Sequence, residues 1–295
     1  MTRSGSERRA LIRGLTWISP WLAGFLLFFA VPICLSLYYS LTDYTLLEGP
    51  VFIGADNYRE LAGDALFHRA VWNTLYFAVC SVMGSTIISI GLALVLERPM
   101  RSAGLVRAIV FLPTMVPVVS ASVCFLWLYN GQYGLVNALL AKVGIDGPDW
   151  LGRKALAMPA LIVMSYWVVG SFVVIYGAAL KDVPRSLYEA ADLDGVRGAG
   201  RFWHVTLPMI SPAVLFNGLM SLIWSLQVFA PPQIMTRGGP ENSTLVYSMY
   251  VYMNAFIYGR MGYASALAWI QVIATLVLTL VLLGMARRVV YYRAA

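Results

Sequence analysis

Side chains that could do acid–base, nucleophilic or metal chemistry are few and scattered in this sequence. There are two histidines, His68 and His204, and three cysteines that share no C-x-x-C spacing. Such a set forms no convincing zinc site, Ser-His-Asp triad or disulfide framework. Each of the three lysines follows Ala, Arg or Leu, whereas a phosphate-binding loop requires Gly-Lys-Ser or Gly-Lys-Thr. The sequence therefore predicts a chain that is not an enzyme and holds no metal or cofactor of its own.

Acidic residues gather in one segment, residues 181–208, which we call the acidic segment although Lys181, Arg185, Arg197 and Arg201 balance its charge. It holds four of the fourteen acids: Asp182, Glu189, Asp192 and Asp194. Good helix formers at 186–191 predict a short helix there, with Asp182 as its N-cap and Pro184 in its first turn. Gly195 is predicted to end this helix in the left-handed conformation.

The same short helix is predicted to have one shallow face. Spacing of i, i+3, i+4 and i+7 places four residues on it: Leu187, Ala190, Ala191 and Asp194. Small side chains on one face suit a helix that docks into a groove of a partner. We therefore expect this segment to contact another protein.

The composition of the whole chain suits lipid rather than water. Of its 295 residues, 60% are hydrophobic and 12% are charged, about half the roughly 25% typical of soluble domains. The mean hydropathy is +0.73, and nine Trp and seventeen Tyr can occupy the membrane interface. This composition excludes an ordinary cytosolic enzyme, a disordered chain and a disulfide-rich secreted module.

Six apolar stretches are long enough to cross the hydrocarbon core, which is roughly 30 Å thick and takes about 20 residues of helix. They run approximately over 15–41, 71–96, 106–129, 155–180, 205–235 and 263–286. No Asp, Glu or Lys lies inside them. The predicted fold is an all-α integral membrane protein, in which residues 1–295 form a single transmembrane domain of six helices.

Basic residues beside the spans predict the orientation, because Lys and Arg are retained on the cytoplasmic side. Fourteen of the 21 lie at the two termini or in and beside the connections 97–105 and 181–204. They are Arg3, Arg8, Arg9, Arg13, Arg98, Arg101, Arg107, Lys181, Arg185, Arg197, Arg201, Arg287, Arg288 and Arg293. Both termini are therefore predicted to be cytoplasmic. The net charge of +7 indicates topology, and no nucleic-acid partner is expected.

Two further apolar features need an interpretation. The Arg-rich start followed by an apolar run could be a signal peptide, but the run of about 25 residues is too long and no A-x-A site follows. Residues 244–258 are short and rich in Tyr and Met, and a seventh span would place the C-terminal arginines outside. We expect a first span and an interfacial helix on the outer face, respectively.

The spans lack the ionisable groups that ion-coupled carriers place near the membrane midplane. An ion-coupled secondary carrier or channel for a polar solute stays open as the alternative, because backbone carbonyls and hydroxyls can also bind Na⁺. The favoured interpretation is a transport subunit that receives its energy from another subunit.

The acidic segment 181–208 also carries a spaced motif. It reads Glu-Ala-Ala at 189–191, Gly195, Val205 and Leu-Pro at 207–208. It resembles the signature of the membrane subunits of binding-protein-dependent ABC importers, with Val for Ile as the sole departure. The resemblance implies the type I importer permease fold and a coupling helix seated in a cleft of a cytoplasmic ATPase, which binds ATP and Mg. It carries that role onto Glu189, Ala190, Ala191, Asp192, Asp194, Gly195, Leu207 and Pro208.

Shorter matches cover nearly the whole chain and resemble the carbohydrate-uptake branch of that family, the maltose, lactose and glycerol-3-phosphate type. They lie at 40–44, 52–54, 56–58, 72–75, 133–137, 236–240 and 242–244. The resemblance implies a multi-pass protein of a bacterial or archaeal plasma membrane, working by alternating access. Its implied partners are cytoplasmic ATP-binding subunits, a second related permease in a heterodimer, and an extracytoplasmic binding protein that delivers a sugar.

A sugar crossing the membrane needs hydrogen-bonding side chains and aromatic rings for stacking. The fourth and fifth spans offer them at helical spacing: Trp167 and Ser171 in the fourth, and Asn217, Ser221, Trp224, Ser225 and Gln227 in the fifth. By resemblance, these two spans beside the coupling segment line the substrate cavity. Ser and Asn stripes also bond helices to one another in lipid, and this alternative stays open.

Two more patterns predict structure alone. Ser81, Ser85 and Ser89 with Gly84 form a face of small residues that favours close helix packing. Two prolines, at 113 and 117, are predicted to kink the third span.

Overall fold

The computed structural model describes residues 3–97 and 102–289. Arg98, Arg101 and Arg293, which contributed to the predicted topology, lie outside the described residues. The chain divides into two compact units. One comprises Met1–Gly63 and Val251–Gln271, and the other comprises Asp64–Tyr250 and Val272–Ala295.

The first unit begins with a long helical segment. Its elements are α1 (Arg3–Phe25), a π-helical turn (Leu26–Ala30), α2 (Val31–Ser40), β1 (Thr42–Asp43), β2 (Val51–Phe52) and α3 (Asp56–Gly63). The two strands pair antiparallel, with Thr42 opposite Phe52. The buried amide of Asn57 donates to the carbonyl oxygens of Ser40 and Thr42, each at 2.9 Å, and so joins α3 to the end of α2.

The second unit is a bundle of helices. They are α4 (Ala65–Leu96), α5 (Ala103–Phe111), α6 (Val118–Leu128), α7 (Leu135–Lys142), α8 (Lys154–Ser165), α9 (Gly170–Lys181), α10 (Arg185–Leu193), α11 (Ala199–Arg201), α12 (Leu207–Met209), α13 (Ser211–Leu226), α14 (Ala230–Met235) and α15 (Tyr247–Tyr252). Single turns of 3₁₀ or π helix stand at Leu112–Met115, Tyr166–Val168 and Phe202–Thr206 in this unit. The helix α15 begins in this unit and ends in the first, which also contains the π-helical turn Met253–Ile257. The last helix, α16 (Met261–Val289), belongs in part to each unit.

The described residues include four helices that are long and apolar enough to cross a membrane: Ala10–Ser40, Ala65–Leu96, Ser211–Met235 and Met261–Ala286. Two bent pairs of helices also pass the test, Gly104–Met115 with Val118–Leu128 and Lys154–Val168 with Gly170–Lys181. The prediction of a mostly helical chain with several apolar helices is confirmed.

Proline accounts for the sharper of the two bends. The axes of the helices on either side of Val116 differ by 100°. Val116 is extended (ψ 126°), as expected of a residue before proline, and Pro117 leaves helical geometry (ψ 135°) as the N-cap of α6. The predicted kink in this stretch is confirmed.

The small-residue face of α4 packs closely against other helices of its unit. Ser81, Ser85 and Ser89 are all buried, and the Ser85 and Ser221 hydroxyls lie 3.3 Å apart. The ring of Tyr166 lies where a Cβ on Gly84 would be, and its hydroxyl donates to the carbonyl of Cys80 at 2.9 Å. The predicted packing role of this face is confirmed.

The Tyr- and Met-rich stretch 244–258 is also helical, in α15 and the π-helical turn after it. Tyr247, Met249 and Tyr250 of α15 are buried within the second unit. The Tyr250 hydroxyl donates to the Asp64 carboxylate, which also accepts from backbone amides at the start of α4. The placement of residues 244–258 at the outer membrane interface stays a prediction.

Candidate functional site

The acidic segment forms the short helix that the sequence predicts, in α10. Its N-cap is Pro184 in extended geometry (ψ 133°), and no side chain caps it. The prediction that Asp182 caps α10 is wrong, because Asp182 is the C-cap residue of the preceding helix α9. Asp182 lies two residues before the actual N-cap, Pro184, and its carboxylate makes no hydrogen bond to the backbone amides of α10. Pro184 accordingly precedes the first turn rather than lying inside it.

The end of α10 follows the prediction for Gly195. This residue has φ +75°, in the left-handed region that glycine adopts without strain. Its amide donates to the Asp192 carbonyl at 3.2 Å, and the Val196 amide donates to the Ala191 carbonyl at 2.8 Å. These two bonds define a Schellman motif, which turns the chain sharply after α10.

The predicted shallow face of α10 is only partly exposed. Leu187, Ala190 and Asp194 are exposed, whereas Ala191 is 8% exposed and faces the rest of the unit. Leu193, at the end of the helix, is 91% exposed. Leu193 lies off the face that the spacing predicts, so the spacing gave no reason to expect it in a docking surface. Its position between Asp192 and Asp194, at the end of the predicted helix, is the sequence feature that could have identified it as exposed.

A small network holds α10 against the returning chain. The Arg201 guanidinium lies 3.4 Å from the Asp192 carboxylate and 5.2 Å from the centre of the Tyr188 ring. The Tyr188 and Thr206 hydroxyls are 3.3 Å apart. The network fastens one side of α10 and leaves Glu189 on the exposed side.

Both ends of the segment are rooted in the apolar core. Val183, just before α10, and Ile210, just before α13, are buried in a cluster with residues of α4 and α9. Leu207 packs against the same cluster, and the Pro208 carbonyl accepts from the Ser211 hydroxyl at 2.6 Å. The residues on both sides of α10 therefore pack in one core with α4 and α9.

The second feature is a cavity of about 580 Å³ inside the second unit. Residues of α4, the α5–α6 bend, α8, α9, α13 and the segment 227–231 line it. Its polar lining consists of the side chains of Ser81, Ser85, Thr114, Ser165, Ser221, Ser225 and Gln227. Its aromatic lining consists of Phe77, Trp167, Phe172, Trp224 and Phe229.

Five of the seven residues predicted for the substrate pathway line this cavity: Trp167, Ser221, Trp224, Ser225 and Gln227. Ser171 and Asn217 are not among the lining residues. Asn217 is buried against α9 and donates to the Phe172 carbonyl at 3.4 Å. Sequence reasoning missed the contribution of α4, whose stripe of serines it assigned to packing alone. Ser85 in fact does both, since it lines the cavity and contacts Ser221.

The cavity suits an uncharged solute that has both polar and apolar surface, because most of the lining is apolar and a minority is hydroxyl or amide. None of its lining residues has an ionisable side chain, so a bound charge would find no counter-charge there. Hydroxyl and amide groups can bond to sugar hydroxyls, and Trp224, stacked on Phe172 at 5.9 Å, offers an aromatic surface. Within residues 3–97 and 102–289, no three His, Cys, Asp or Glu side chains are grouped to hold a metal.

Long apolar helices, an uncharged internal cavity and an exposed acidic helix define a multi-pass membrane transport protein. The model of the binding-protein-dependent transport system inner membrane component matches residues 85–290, and the chain belongs to this family. The probable ABC transporter permease protein YesP of Bacillus subtilis is 34% identical over 100% of this chain and 96% of its own. The alternative of an ion-coupled carrier or channel is therefore set aside.

Two further likenesses cover almost the full length. The lactose transport system permease protein LacF of Rhizobium radiobacter is 34% identical over 94% of this chain and 95% of its own. The permease fold is shared with a bacterial ABC transporter involved in the import of the acidic polysaccharide alginate. That match has a TM-score of 0.84 and 24% identity, over 98% of this chain and 99% of the other. The chain is thus a transport subunit rather than an enzyme, as predicted.

Proposed function

We propose that this chain is a six-span permease subunit of an ATP-driven importer, which takes up a neutral sugar delivered by an extracytoplasmic binding protein. The observation that carries the proposal is the uncharged cavity of hydroxyl, amide and aromatic groups, in a chain whose relatives include a lactose permease. Its volume of about 580 Å³ falls within the range of about 300–1,000 Å³ common for small-ligand pockets.

The six spans are the four long helices and the two bent pairs, each pair crossing the membrane once. The bends at Val116 and at Val169, between Val168 and Gly170, break the helical hydrogen-bond ladder at membrane depth. Such breaks are tolerated where the backbone lines a cavity, and Val116, Trp167 and Val168 all do so. With an even number of spans and the arginine clusters retained inside, both termini are cytoplasmic.

The acidic segment 181–208 is the coupling element of this proposal. Glu189, Ala190, Asp194 and Leu193 lie on the exposed side of α10, where a cleft of the ATPase would receive them. The segment joins α9 to α13, and both helices also line the cavity, through Phe172 and Trp224 among others. ATP binding and hydrolysis, with Mg, take place in the partner and move α10. The motion opens the cavity alternately to each side of the membrane.

Permeases of binding-protein-dependent transport systems pair with a second permease and with ATPases. The proposed assembly therefore contains a second, related permease in a heterodimer, two ATP-binding subunits and the binding protein, in a bacterial or archaeal plasma membrane.

The test is reconstitution of the assembled importer in proteoliposomes with its binding protein and a panel of neutral sugars. One or more of them is expected to stimulate ATP hydrolysis and to accumulate inside the vesicles.

The Glu189→Lys variant is expected to lose substrate-stimulated hydrolysis at least about tenfold, because charge reversal at a docked acid disrupts the interface. The variant permease should still insert into the membrane.

The control is Asp146→Lys, which reverses another exposed acid on a different loop and should behave as wild type. Sugar uptake by the purified permease with no ATPase present would overturn the ATP-driven proposal. Normal stimulated hydrolysis in the Glu189→Lys complex would overturn the role of α10.

A further inference from the structure

A second, smaller cavity lies at the surface of the second unit, beside the first turns of α4 and α8. Its volume is about 210 Å³. We call it the basic pocket. It is lined by Arg69, Trp72, Asn73, Tyr76, Lys154, Ala155, Met158, Pro159 and Ser243.

The basic pocket carries one net positive charge. The Lys154 ammonium lies 2.7 Å from the Glu241 carboxylate, and this pairing lowers the pKa of Glu241, so the carboxylate is ionised at neutral pH. Arg69 makes no ion pair within 4.0 Å among the described residues. Arg69 nevertheless also lowers the pKa of Glu241, so the two cations share one carboxylate and one positive charge of the group is left over.

Hydrogen bonds from Asn73 hold the part of the lining that contains Ser243. The Asn73 amide donates to the carbonyl oxygens of Asn242 and Leu245, at 2.8 and 2.9 Å. Ser243, between those two residues, is 8% exposed, and its hydroxyl is buried without a hydrogen-bond partner. A buried hydroxyl without a partner is unfavourable, so a bound acceptor would stabilise it.

An apolar stripe leads away from the basic pocket along α4. Its members are Trp72, Tyr76, Val79, Met83 and Ile87. All five are exposed, and their spacing places them on one face of the helix. The stripe extends over about 22 Å, enough to cover the hydrocarbon half-thickness of about 15 Å.

The position of the basic pocket along α4 matches the membrane surface. The 32 residues of α4 extend over about 48 Å, so its ends project beyond the hydrocarbon core of roughly 30 Å. Arg69 and Trp72 lie in its first two turns, and Trp72 is 68% exposed. Tryptophan and tyrosine prefer this interfacial level.

We propose that the basic pocket binds the phosphodiester headgroup of an anionic phospholipid, whose acyl chains lie along the stripe on α4. A phosphodiester carries a single negative charge, which matches the single net positive charge of the pocket. The planar Arg69 guanidinium can bond two phosphate oxygens at once, and Lys154 supplies a further donor. The Ser243 hydroxyl gains an acceptor. This proposal stands independently of the sugar and of the coupling role of α10.

The test uses the assembled importer, delipidated in neutral detergent and titrated with phosphatidylglycerol or with phosphatidylcholine of the same acyl chains. Bound lipid is counted by native mass spectrometry. We expect wild type to prefer phosphatidylglycerol, and Arg69→Gln to weaken that binding about tenfold, the equivalent of one charge-assisted bond. Glu241→Gln raises the pocket charge and should strengthen the binding. Lys142→Gln removes an exposed lysine at the end of α7 and should leave it unchanged.

Two arms separate the sources of phosphate. An excess of inorganic phosphate should compete poorly, because it cannot use the apolar stripe. Displacement of phosphatidylglycerol by an equal concentration of phosphate would overturn the lipid proposal in favour of a free-anion site. Equal binding of the two lipids, or unchanged binding in an Arg69→Gln complex that assembles normally, would overturn it altogether. Unchanged binding after a Met83→Asn substitution would show that the stripe holds no acyl chain, and would overturn it as well.

Discussion

The acidic segment 181–208 and the internal cavity lie in the same unit but are built in opposite ways. The segment is one continuous run of chain, whose helix, turn and bracing network join residues no more than 18 positions apart. The cavity is assembled from helices that lie far apart in sequence, and its contact between Ser85 and Ser221 joins residues 136 positions apart. A functional element within one run of chain can be recognised in the sequence as a single motif. A cavity assembled from distant helices leaves only separate groups of polar and aromatic residues in the sequence.

The two regions are nonetheless joined physically. Helices α9 and α13 leave the two ends of the segment and then line the cavity. Substitutions in the segment should therefore abolish the link between ATP hydrolysis and transport. Substitutions in the cavity should change substrate recognition while the link survives.

The largest effect is expected from Gly195→Pro. Proline holds φ near −65°, whereas this position has φ +75°, and the substitution also removes the amide that donates to Asp192. We expect ATP-driven uptake to fall to background while the complex still assembles in the membrane. The measurement is uptake together with ATPase activity in proteoliposomes.

Gly91→Ala is the control for that substitution, because Gly91 lies inside α4 with open space around it. It should transport normally. Substantial uptake by Gly195→Pro would show that the turn after α10 is not needed for coupling.

Trp224→Ala should have the next largest effect, confined to the cavity. Loss of the ring stacked on Phe172 removes aromatic surface, and about tenfold weaker substrate affinity is expected from a loss of roughly 1–1.5 kcal/mol. The KM for substrate should rise, with basal ATPase activity unchanged. Phe216→Ala, an exposed aromatic on the same helix outside the cavity lining, is the matched control. If Trp224→Ala instead lowered the basal ATPase activity without changing the KM, the acidic segment and the cavity would not have separate roles.

A smaller effect is expected at the contact between Ser85 and Ser221. A double-mutant cycle with Ser85→Ala and Ser221→Ala should give a coupling free energy of about 0.6 kcal/mol, typical of hydroxyl bonds between membrane helices. Thermal unfolding of the purified complex measures the coupling, and substrate KM is measured on the same variants. A change in stability alone would assign the pair to packing, whereas a change in KM would assign it also to the cavity.

The smallest effect is expected for the Lys154–Glu241 pair, which belongs to neither region. Its carboxylate has a lowered pKa in the folded chain, so its contribution is present above the ordinary pKa of about 4.3 and disappears as the pH falls. Both side chains are more than half exposed, and screening keeps the contribution small. The difference in Tm between wild type and Glu241→Gln should vanish in acid. At each pH, the coupling of ATP hydrolysis to transport and the KM for substrate should be the same in wild type and in Glu241→Gln.

Local features were predicted well. The helix at α10, the left-handed Gly195 and the kink before Pro117 each depend on a few neighbouring residues, and all three were read correctly. The error at Asp182 came from a shift of two residues in the start of α10. Propensity alone cannot resolve such a shift, because α9 continues to Lys181 and ends on Asp182.

Side-chain direction was predicted less well. Ala191 shares a face of α10 with Leu187 and Ala190, yet only Ala191 is buried, because the chain returning through Arg201 and Thr206 packs on that side. Periodicity identifies a stripe but not the neighbour that covers it. The same limit applies to the fifth span. Its polar stripe was identified, while the position of Asn217 against Phe172, outside the cavity lining, was not.

The sequence by itself determined that the chain suits a lipid environment, where its helices lie, and which motif the acidic segment carries. Each of these depends on local composition: apolar length for a span, a glycine for a left-handed turn, and a spaced pattern within one run of chain. Only the tertiary structure decided which hydroxyls and rings share a cavity and which two cations share the Glu241 carboxylate. Those outcomes depend on contacts between helices far apart in sequence. Such contacts form where small residues, as on α4, allow close approach, and no single stretch of sequence contains both partners.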